Sequence, residues 1–199
     1  MRRRLLAPTI LLAAAVAACG SQAQSTLVGY KREPTPNVAV VTLPSVQADG
    51  AESDFSFHAD PEGILLVYFG YTSCPDVCPT TLSDVGRTLD NLDAEESGRL
   101  EVAMVTVDPE VDTPDILVDY VRSFVPAAHA VRSTDTQRLG DLAEGFGASF
   151  GHGGDGIEHT GSLYAVNSEG DLVLTWPYGV TADDLESDIR QLLSDYELE

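Results

Sequence analysis

The sequence predicts an α/β fold in which a central mixed sheet is flanked by helices. Residues 64–69 and 100–107 are continuous apolar runs without polar alternation, as expected of strands that are buried on both faces. Each run is followed by a segment with apolar residues at helical spacing. Two further strands joined by a turn, and a last helix, complete the chain. A β-α-β half followed by a β-β-α half is the thioredoxin-like arrangement.

Local signals at the element ends support this order. Thr113 and Pro114 predict a helix start, because a capping residue precedes a proline at the first helical position. Gly147 predicts a helix end, and Thr181 with Asp184 has the spacing of a capping box. The predicted inward face of the helix after Thr113 consists of Ile116, Leu117, Tyr120, Val121 and Phe124. The predicted elements are strand 37–43, strand 64–69, helix 79–92, strand 100–107, helix 113–124, strand 128–131, helix 135–146, strands 163–166 and 172–176, and helix 181–193. The turn-rich segment 48–63 and the glycine-rich segment 151–156 are predicted as loops, the second of them mobile.

The N-terminus has the pattern of an export signal. Three arginines precede residues 5–18, which are almost wholly apolar but too short to span a bilayer comfortably. The small residues before Cys19 resemble a bacterial lipobox, which implies cleavage before Cys19 and lipidation of its thiol. An ordinary cleaved signal is the alternative, and Sec or twin-arginine export both stay open. We expect a signal peptide at 1–18, a lipid-anchored flexible tether at 19–36 and a folded domain at 37–199, on the outer face of the cytoplasmic membrane.

The charge of the chain excludes one class of partner. A formal net charge of −21 argues against nucleic-acid binding, which needs basic patches to neutralise phosphate. An acidic surface keeps a protein soluble beside an anionic membrane, or faces a basic partner. A plain solubility surface accounts for the same charge.

Cys74 and Cys78 follow the buried strand directly, at the entry to a helix. Three residues between them, rather than two, depart from the usual dithiol redox motif. This spacing places both thiols on one face of a first helical turn, where the helix N-terminus favours thiolate over thiol. With Cys19 assigned to the anchor, no cysteine is left for a structural disulfide. The pair suits either an intramolecular disulfide or two thiolates on one soft ion.

A third ligand would complete a trigonal site for Cu(I), the softest common candidate ion. The four histidines are His58, His129, His152 and His159. His159 is the best candidate because it immediately precedes the strand 163–166, which in a thioredoxin-like fold returns beside the first strand-to-helix junction. His152 in the glycine-rich segment is the next candidate. His58 and His129 are interpreted as ordinary surface or partly buried side chains.

Several short motifs accompany the two cysteines and the histidine. They are Tyr68-Phe69-Gly70-Tyr71-Thr72, Cys74-Pro75, Cys78-Pro79, Val107-Asp108-Pro109, Asp112-Thr113-Pro114 and His159. With these motifs the chain resembles the Sco (SenC-type) family, membrane-attached copper proteins that serve assembly of the copper-A centre of cytochrome c oxidase. The resemblance covers about residues 38–195.

The resemblance implies that Cys74, Cys78 and His159 are copper ligands. It also implies a place near the metal, linked to Cu(II) behaviour, for Asp108. A turn residue whose carboxylate caps the loop is the equal alternative for Asp108. The family often has Asp before the histidine, whereas this chain has Glu158, whose longer side chain would position the imidazole differently.

Two main hypotheses for function follow. The first is a copper metallochaperone, not an enzyme, that binds Cu(I), and Cu(II) as a further state, and passes it to the oxidase subunit carrying the copper-A site. The second is a thiol-disulfide oxidoreductase in which Cys74 attacks and Cys78 resolves, reducing the copper-ligand cysteines of that subunit. A copper donor protein or a thiol reductant would be a further partner. A peroxidase or redox sensor would use Thr72 but lacks a flanking arginine, and a metal-free adaptor is the remaining hypothesis.

Overall fold

We describe residues 26–153 and 156–196 of a computed structural model. The predicted signal peptide and Cys19 lie outside the described residues. The strands are β1 (Thr42–Val46), β2 (Glu52–Ser56), β3 (Ile64–Gly70), β4 (Leu100–Thr106), β5 (His129–Val131), β6 (Phe150–Gly153), β7 (Gly156–His159), β8 (Leu163–Val166) and β9 (Leu172–Trp176). The helices are α1 (Val77–Asn91), α2 (Ala94–Gly98), α3 (Pro114–Phe124), α4 (Thr136–Phe146) and α5 (Ala182–Tyr196).

The described strands form a seven-stranded mixed sheet in the order β2-β1-β5-β4-β3-β8-β9. β3 and β4 are parallel, as are β4 and β5, whereas β8 runs antiparallel to β3 and β9 antiparallel to β8. Every residue of β3 is buried. Its side chains alternate between two core layers, which explains its continuous apolar sequence.

The helices cover both faces of the sheet. α1, α3 and α5 fill one layer with the buried side chains of Leu82, Val121 and Ile189, and α4 covers the other layer through Leu142. The predicted α/β fold with a central mixed sheet flanked by helices, in a thioredoxin-like arrangement, is therefore confirmed.

The predicted helix caps agree with the structure. Thr113 is the N-cap of α3 and Pro114 its first residue. Gly147 ends α4 with φ of 67°, a left-handed conformation that glycine adopts without steric cost. The Asp184 N–H donates to Thr181 Oγ1 at the start of α5, as in a capping box.

Three predictions about local structure are wrong. The first strand lies at Thr42–Val46, later than 37–43, and it forms a hairpin with β2 inside the segment 48–63 predicted as a loop. The segment 151–156 was predicted as a loop, whereas its residues 151–153 and 156 belong to the antiparallel hairpin of β6 and β7. In α3, Leu117 and Val121 are buried as predicted, but Ile116 is exposed, and Val118, which was not part of the predicted face, is buried. Glycines and polar residues hide these strands, because they remove the apolar alternation that marks a half-buried strand.

Part of the predicted flexible tether is docked on the domain. The backbone N–H groups of Val28 and Gly29 donate to the carboxylate of Asp188, at 3.1 and 2.8 Å. Asp188 is buried, and it also accepts from Trp176 Nε1 at 2.8 Å. We call residues 28–38 the N-terminal strap. The strap continues antiparallel along β9. Residues 28–36 were predicted as part of a flexible tether, but a buried carboxylate and a strand edge hold their backbone.

None of the helices in residues 26–153 and 156–196 has the length and apolar character needed to cross a bilayer.

Candidate metal centre

The two cysteines lie where β3 leaves the sheet and α1 begins. Cys74 is in the turn before the helix, and its N–H donates to the Tyr71 carbonyl at 3.3 Å. Cys78 is in the first turn of α1, and its N–H donates to Cys74 Sγ at 3.3 Å. Cys74 is 9% exposed, whereas Cys78 is completely buried. At the start of the helix, the Cys74 sulfur is therefore partly accessible to solvent and the Cys78 sulfur is buried below it.

His159 lies beside this pair. Its Nε2 is 3.5 Å from Cys78 Sγ, and its Nδ1 is 3.2 Å from the Thr160 carbonyl. A carbonyl can only accept, so Nδ1 carries the proton and the Nε2 lone pair faces the sulfurs. The ligand atoms of Cys74, Cys78 and His159 all lie within 4.8 Å of one another. They form the one such His, Cys, Asp or Glu cluster in the part of the chain that the structure describes.

The β6–β7 hairpin brings His159 to the cysteines. His159 is the last residue of β7 and pairs with Phe150 of β6. Beyond the hairpin, the Thr160 N–H donates to the Ser149 carbonyl at 2.8 Å. The segment predicted as a mobile loop thus supports the imidazole with a hydrogen-bonded ladder.

Two tyrosines from the cysteine side enclose the imidazole. The Tyr68 and Tyr71 rings meet it edge-on, with centroids 6.1 and 5.6 Å away. Tyr71 also donates its hydroxyl to the Ile157 carbonyl at 3.4 Å, which ties the cysteine loop to β7. These contacts restrict rotation of the His159 ring.

The two thiols differ in acidity. Burial raises the pKa of Cys78 to about 12, with a further contribution from the neighbouring Cys74. Burial also opposes ionisation of Cys74. Hydrogen bonds from the Cys78 thiol and from the N–H groups of Cys78 and Asp76 outweigh it and lower the pKa of Cys74. Burial lowers the pKa of His159, which keeps the imidazole neutral and able to bind a metal at neutral pH.

The other two histidines whose side chains are described lie outside this cluster. His58 Nδ1 is 3.1 Å from the Ala59 carbonyl. His129 Nε2 lies 3.4 Å from Glu101 Oε2, and its ring contacts the Phe55 ring at a tilt of 43°, with centroids 4.8 Å apart. The side chain of His152 lies outside the described part of the chain, so its role as the next candidate stays a prediction.

A model of the SCO1/SenC family matches residues 49–194, which includes both cysteines and His159. The chain belongs to the SCO1/SenC family.

Related proteins agree with this assignment. A Stutzerimonas stutzeri protein named for copper binding is 34% identical over 112 residues, 54% of this chain and 54% of that protein. The match thus spans about half the length of that relative. The solution structure of apo Sco1 from Thermus thermophilus is 27% identical, with a TM-score of 0.65, and the alignment covers 88% of this chain and 98% of that one.

The copper-bound crystal structure of yeast Sco1 has a TM-score of 0.66 and 20% identity, covering 82% of this chain and 91% of that one. At that identity it supports the shared fold alone.

The donor set of this SCO1/SenC chain suits copper. Two sulfurs and one imidazole nitrogen are the soft and borderline ligands that copper prefers. Three donors leave one side of a bound ion open. Cys74 and His159 line a largely apolar groove that also includes Tyr71, Val77 and the half-exposed Tyr178.

Asp108 and Glu158, the two predicted acidic neighbours, are placed differently from the ligands. The Asp108 N–H donates to Thr106 Oγ1 at 3.0 Å in the turn after β4. Its charge contributes to the raised pKa of Tyr71, although burial of that ring is the main cause. Glu158 is exposed and points along the hairpin toward Gly153, where an added Cβ would lie 2.6 Å from its Oε1. Roles for both residues at a metal stay predictions.

A buried carboxylate that the sequence did not single out supports the cysteine loop. Asp112 is completely buried and accepts from the Thr72 N–H at 3.2 Å and from the Thr72 hydroxyl. It also accepts from the Thr106 hydroxyl at the end of β4. Asp112 therefore joins the loop before Cys74 to the neighbouring strand. The sequence signal that could have identified Asp112 is an acidic residue between a buried strand and the helix start at Thr113. Asp112 had been considered only as part of Asp112-Thr113-Pro114, a motif of the family resemblance.

Proposed function

We propose that this protein is a copper metallochaperone that holds the ion between Cys74, Cys78 and His159 and delivers it to the copper-A site of cytochrome c oxidase. The observation that carries the proposal is the convergence of two thiols and a neutral imidazole within 4.8 Å at one edge of the fold. Cu(I) is the preferred cargo because sulfur dominates the site, and Cu(II) is the second state we expect.

Delivery requires that an incoming ligand reach the ion while the chaperone still holds it. Cys74 and His159 are the partly accessible members of the site, and the groove along Tyr71 and Tyr178 reaches both. Cysteines of a receiving protein can replace these ligands one at a time. Exchange of this kind needs no oxidant and no covalent catalysis by the chain.

The place of action is a second part of the proposal. We propose that the chain is exported, cleaved before Cys19 and lipidated on that residue, so that the domain works at the outer face of the cytoplasmic membrane. The support is the basic, apolar and small-residue pattern of residues 1–19. The receiving oxidase subunit, and a copper donor or thiol reductant, would meet the protein there.

Copper stoichiometry of the purified, reduced protein tests the site. After anaerobic Cu(I) loading and desalting we expect one copper per chain, lost in Cys74→Ser, Cys78→Ser and His159→Ala. His129→Ala is the matched control, since that histidine lies outside the cluster, and it should retain copper. Full copper retention by His159→Ala would refute the proposed ligand set.

A second candidate function has its own support. Cys74 has a lowered pKa and partial exposure, whereas Cys78 is buried with a raised pKa, which is the asymmetry of an attacking and a resolving thiol. The Cys74 thiolate would attack a partner disulfide and release one partner thiol. Cys78 would then lose its proton, attack Cys74 and release the second thiol, leaving an oxidised chain that a thiol reductant must restore. His159→Ala separates the two functions, because it removes a copper ligand and leaves both thiols for exchange.

A further inference from the structure

The Tyr68 ring and the Cys78 sulfur meet beneath the ligand cluster. Tyr68 is completely buried on β3, and its ring lies edge-on to His159. A Cβ built on Gly70 would lie 2.6 Å from Tyr68 Cε1 and 3.1 Å from Cys78 Sγ. The ring edge and the sulfur therefore occupy the two sides of the same small space, and only glycine at position 70 leaves room for both.

The Tyr68 hydroxyl has no hydrogen-bond partner of normal geometry among the described residues, and its oxygen is shielded from solvent. Buried hydroxyls in native proteins almost always have a partner, because an unsatisfied one loses its hydration without compensation. Burial is the main cause of the raised pKa of this hydroxyl, and the side chains that also act on it are Cys78 and Thr81, through hydrogen bonds, and Cys74, through its charge. A thiol is a weak acceptor, but a thiolate is a strong one.

We infer that the Tyr68 hydroxyl donates a hydrogen bond to the Cys78 sulfur when that sulfur is a copper-bound thiolate, and that Tyr68 is a positioning residue of the copper site. The inference rests on the proposed copper function. In the metal-free protein Cys78 is a thiol and the hydroxyl is left without a good acceptor. Binding of Cu(I) at the Cys78 sulfur would release the thiol proton to the solvent, and the resulting thiolate would be the acceptor that the hydroxyl lacks.

This arrangement gives Tyr68→Phe opposite effects in the two states. The metal-free variant loses an unsatisfied buried hydroxyl and keeps the ring, so its melting temperature should equal or exceed that of the wild type. The copper-bound variant loses a hydrogen bond to a charged sulfur, so its Cu(I) affinity should fall about tenfold or more. The thiolate-to-Cu(II) charge-transfer band should move to longer wavelength, since the sulfur lone pair is no longer stabilised by a donor.

Tyr120 provides a matched control. Its hydroxyl is also buried without a partner, on α3 in the same core layer, and its ring packs on Phe124 with centroids 5.3 Å apart. Tyr120→Phe therefore removes the same group from the same kind of environment. The charge of Cys78 contributes, after burial, to the raised pKa of Tyr120, but no hydrogen bond does, whereas Cys78 acts on the pKa of Tyr68 through both its charge and a hydrogen bond.

The experiment compares the wild-type protein, Tyr68→Phe and Tyr120→Phe. Metal-free melting temperature, Cu(I) affinity by competition with a chromophoric chelator, and the Cu(II) charge-transfer spectrum are measured for each. A lower affinity and a shifted band in Tyr68→Phe alone, with no loss of metal-free stability, would support the inference. Equal effects in both variants, or wild-type affinity and spectrum in Tyr68→Phe, would overturn it while copper binding by the wild type stands. Failure of the wild type to bind copper would overturn the proposed function and this inference together.

Discussion

Removal of the Asp112 carboxylate should destabilise the support beneath the copper loop. In Asp112→Ala, the Thr72 N–H, the Thr72 hydroxyl and the Thr106 hydroxyl lose their acceptor, at a site where Thr106 is buried and Thr72 is partly exposed. A hydrogen bond to a charged group contributes about 1.5–3 kcal/mol, and an abandoned buried donor costs a similar amount. Three bonds at the lower limit give a destabilisation of about 4.5 kcal/mol, a large fraction of the stability of a typical domain.

The assay is equilibrium unfolding in urea, followed by circular dichroism on reduced, metal-free protein. Asp141→Ala is the matched control, because Asp141 is exposed on α4 and its loss should change the free energy of unfolding little. A loss below about 1 kcal/mol in Asp112→Ala would refute the view that this carboxylate holds the loop to β4. A loss equal to that of Asp141→Ala would do the same.

Three other predictions concern the thiols, the end of α4 and the strap. Iodoacetamide should modify Cys74 before Cys78 in reduced, metal-free protein. Because the pKa of Cys74 is lowered and that of Cys78 is about 12, Cys74 should also become reactive at a lower pH than Cys78 as the pH is raised. Peptide mass spectrometry that shows the reverse order of modification would contradict the assignment. Gly147→Ala should lower the free energy of unfolding by about 1 kcal/mol, because alanine is strained at φ of 67°, and an unchanged urea midpoint would count against this. Asp188→Ala should free the strap and speed proteolysis within residues 28–38, whereas Asp183→Ala, also on α5, should leave the cleavage rate at the wild-type level.

The central strands could be predicted well from the sequence because their burial is complete. β3 is apolar at every position since both of its faces are covered, and a short run of this kind between turn signals is typical of a buried strand. β2 was missed because it is an edge strand whose one buried side chain is Phe55. β6 and β7 were missed because glycines carry no side-chain pattern, although backbone pairing forms the hairpin all the same.

The residues of the site also differ in how far they could be predicted from nearby sequence, because some of their contacts are with residues distant in the chain. Topology pointed to His159, and the structure brings it to the cysteines. Asp112 could not be identified in this way, since one of its partners, Thr72, is forty residues away in sequence. The sequence predicted only that Tyr68 lies in a buried strand. Its position beside Cys78 could not be predicted, because it depends on the packing of α1 onto β3.

If the chain is anchored as proposed, the strap also limits how far the copper site can move from the membrane. Residue 30 pairs with Thr175, beside Trp176, at the end of the sheet that also carries Tyr68 and the cysteine loop. Leu27 packs against the core, so if Cys19 is anchored as proposed, the seven residues 20–26 would form the leash, with a reach of about 24 Å when fully extended. The leash would leave the domain from the copper end, so the metal would stay within a thin layer above the bilayer.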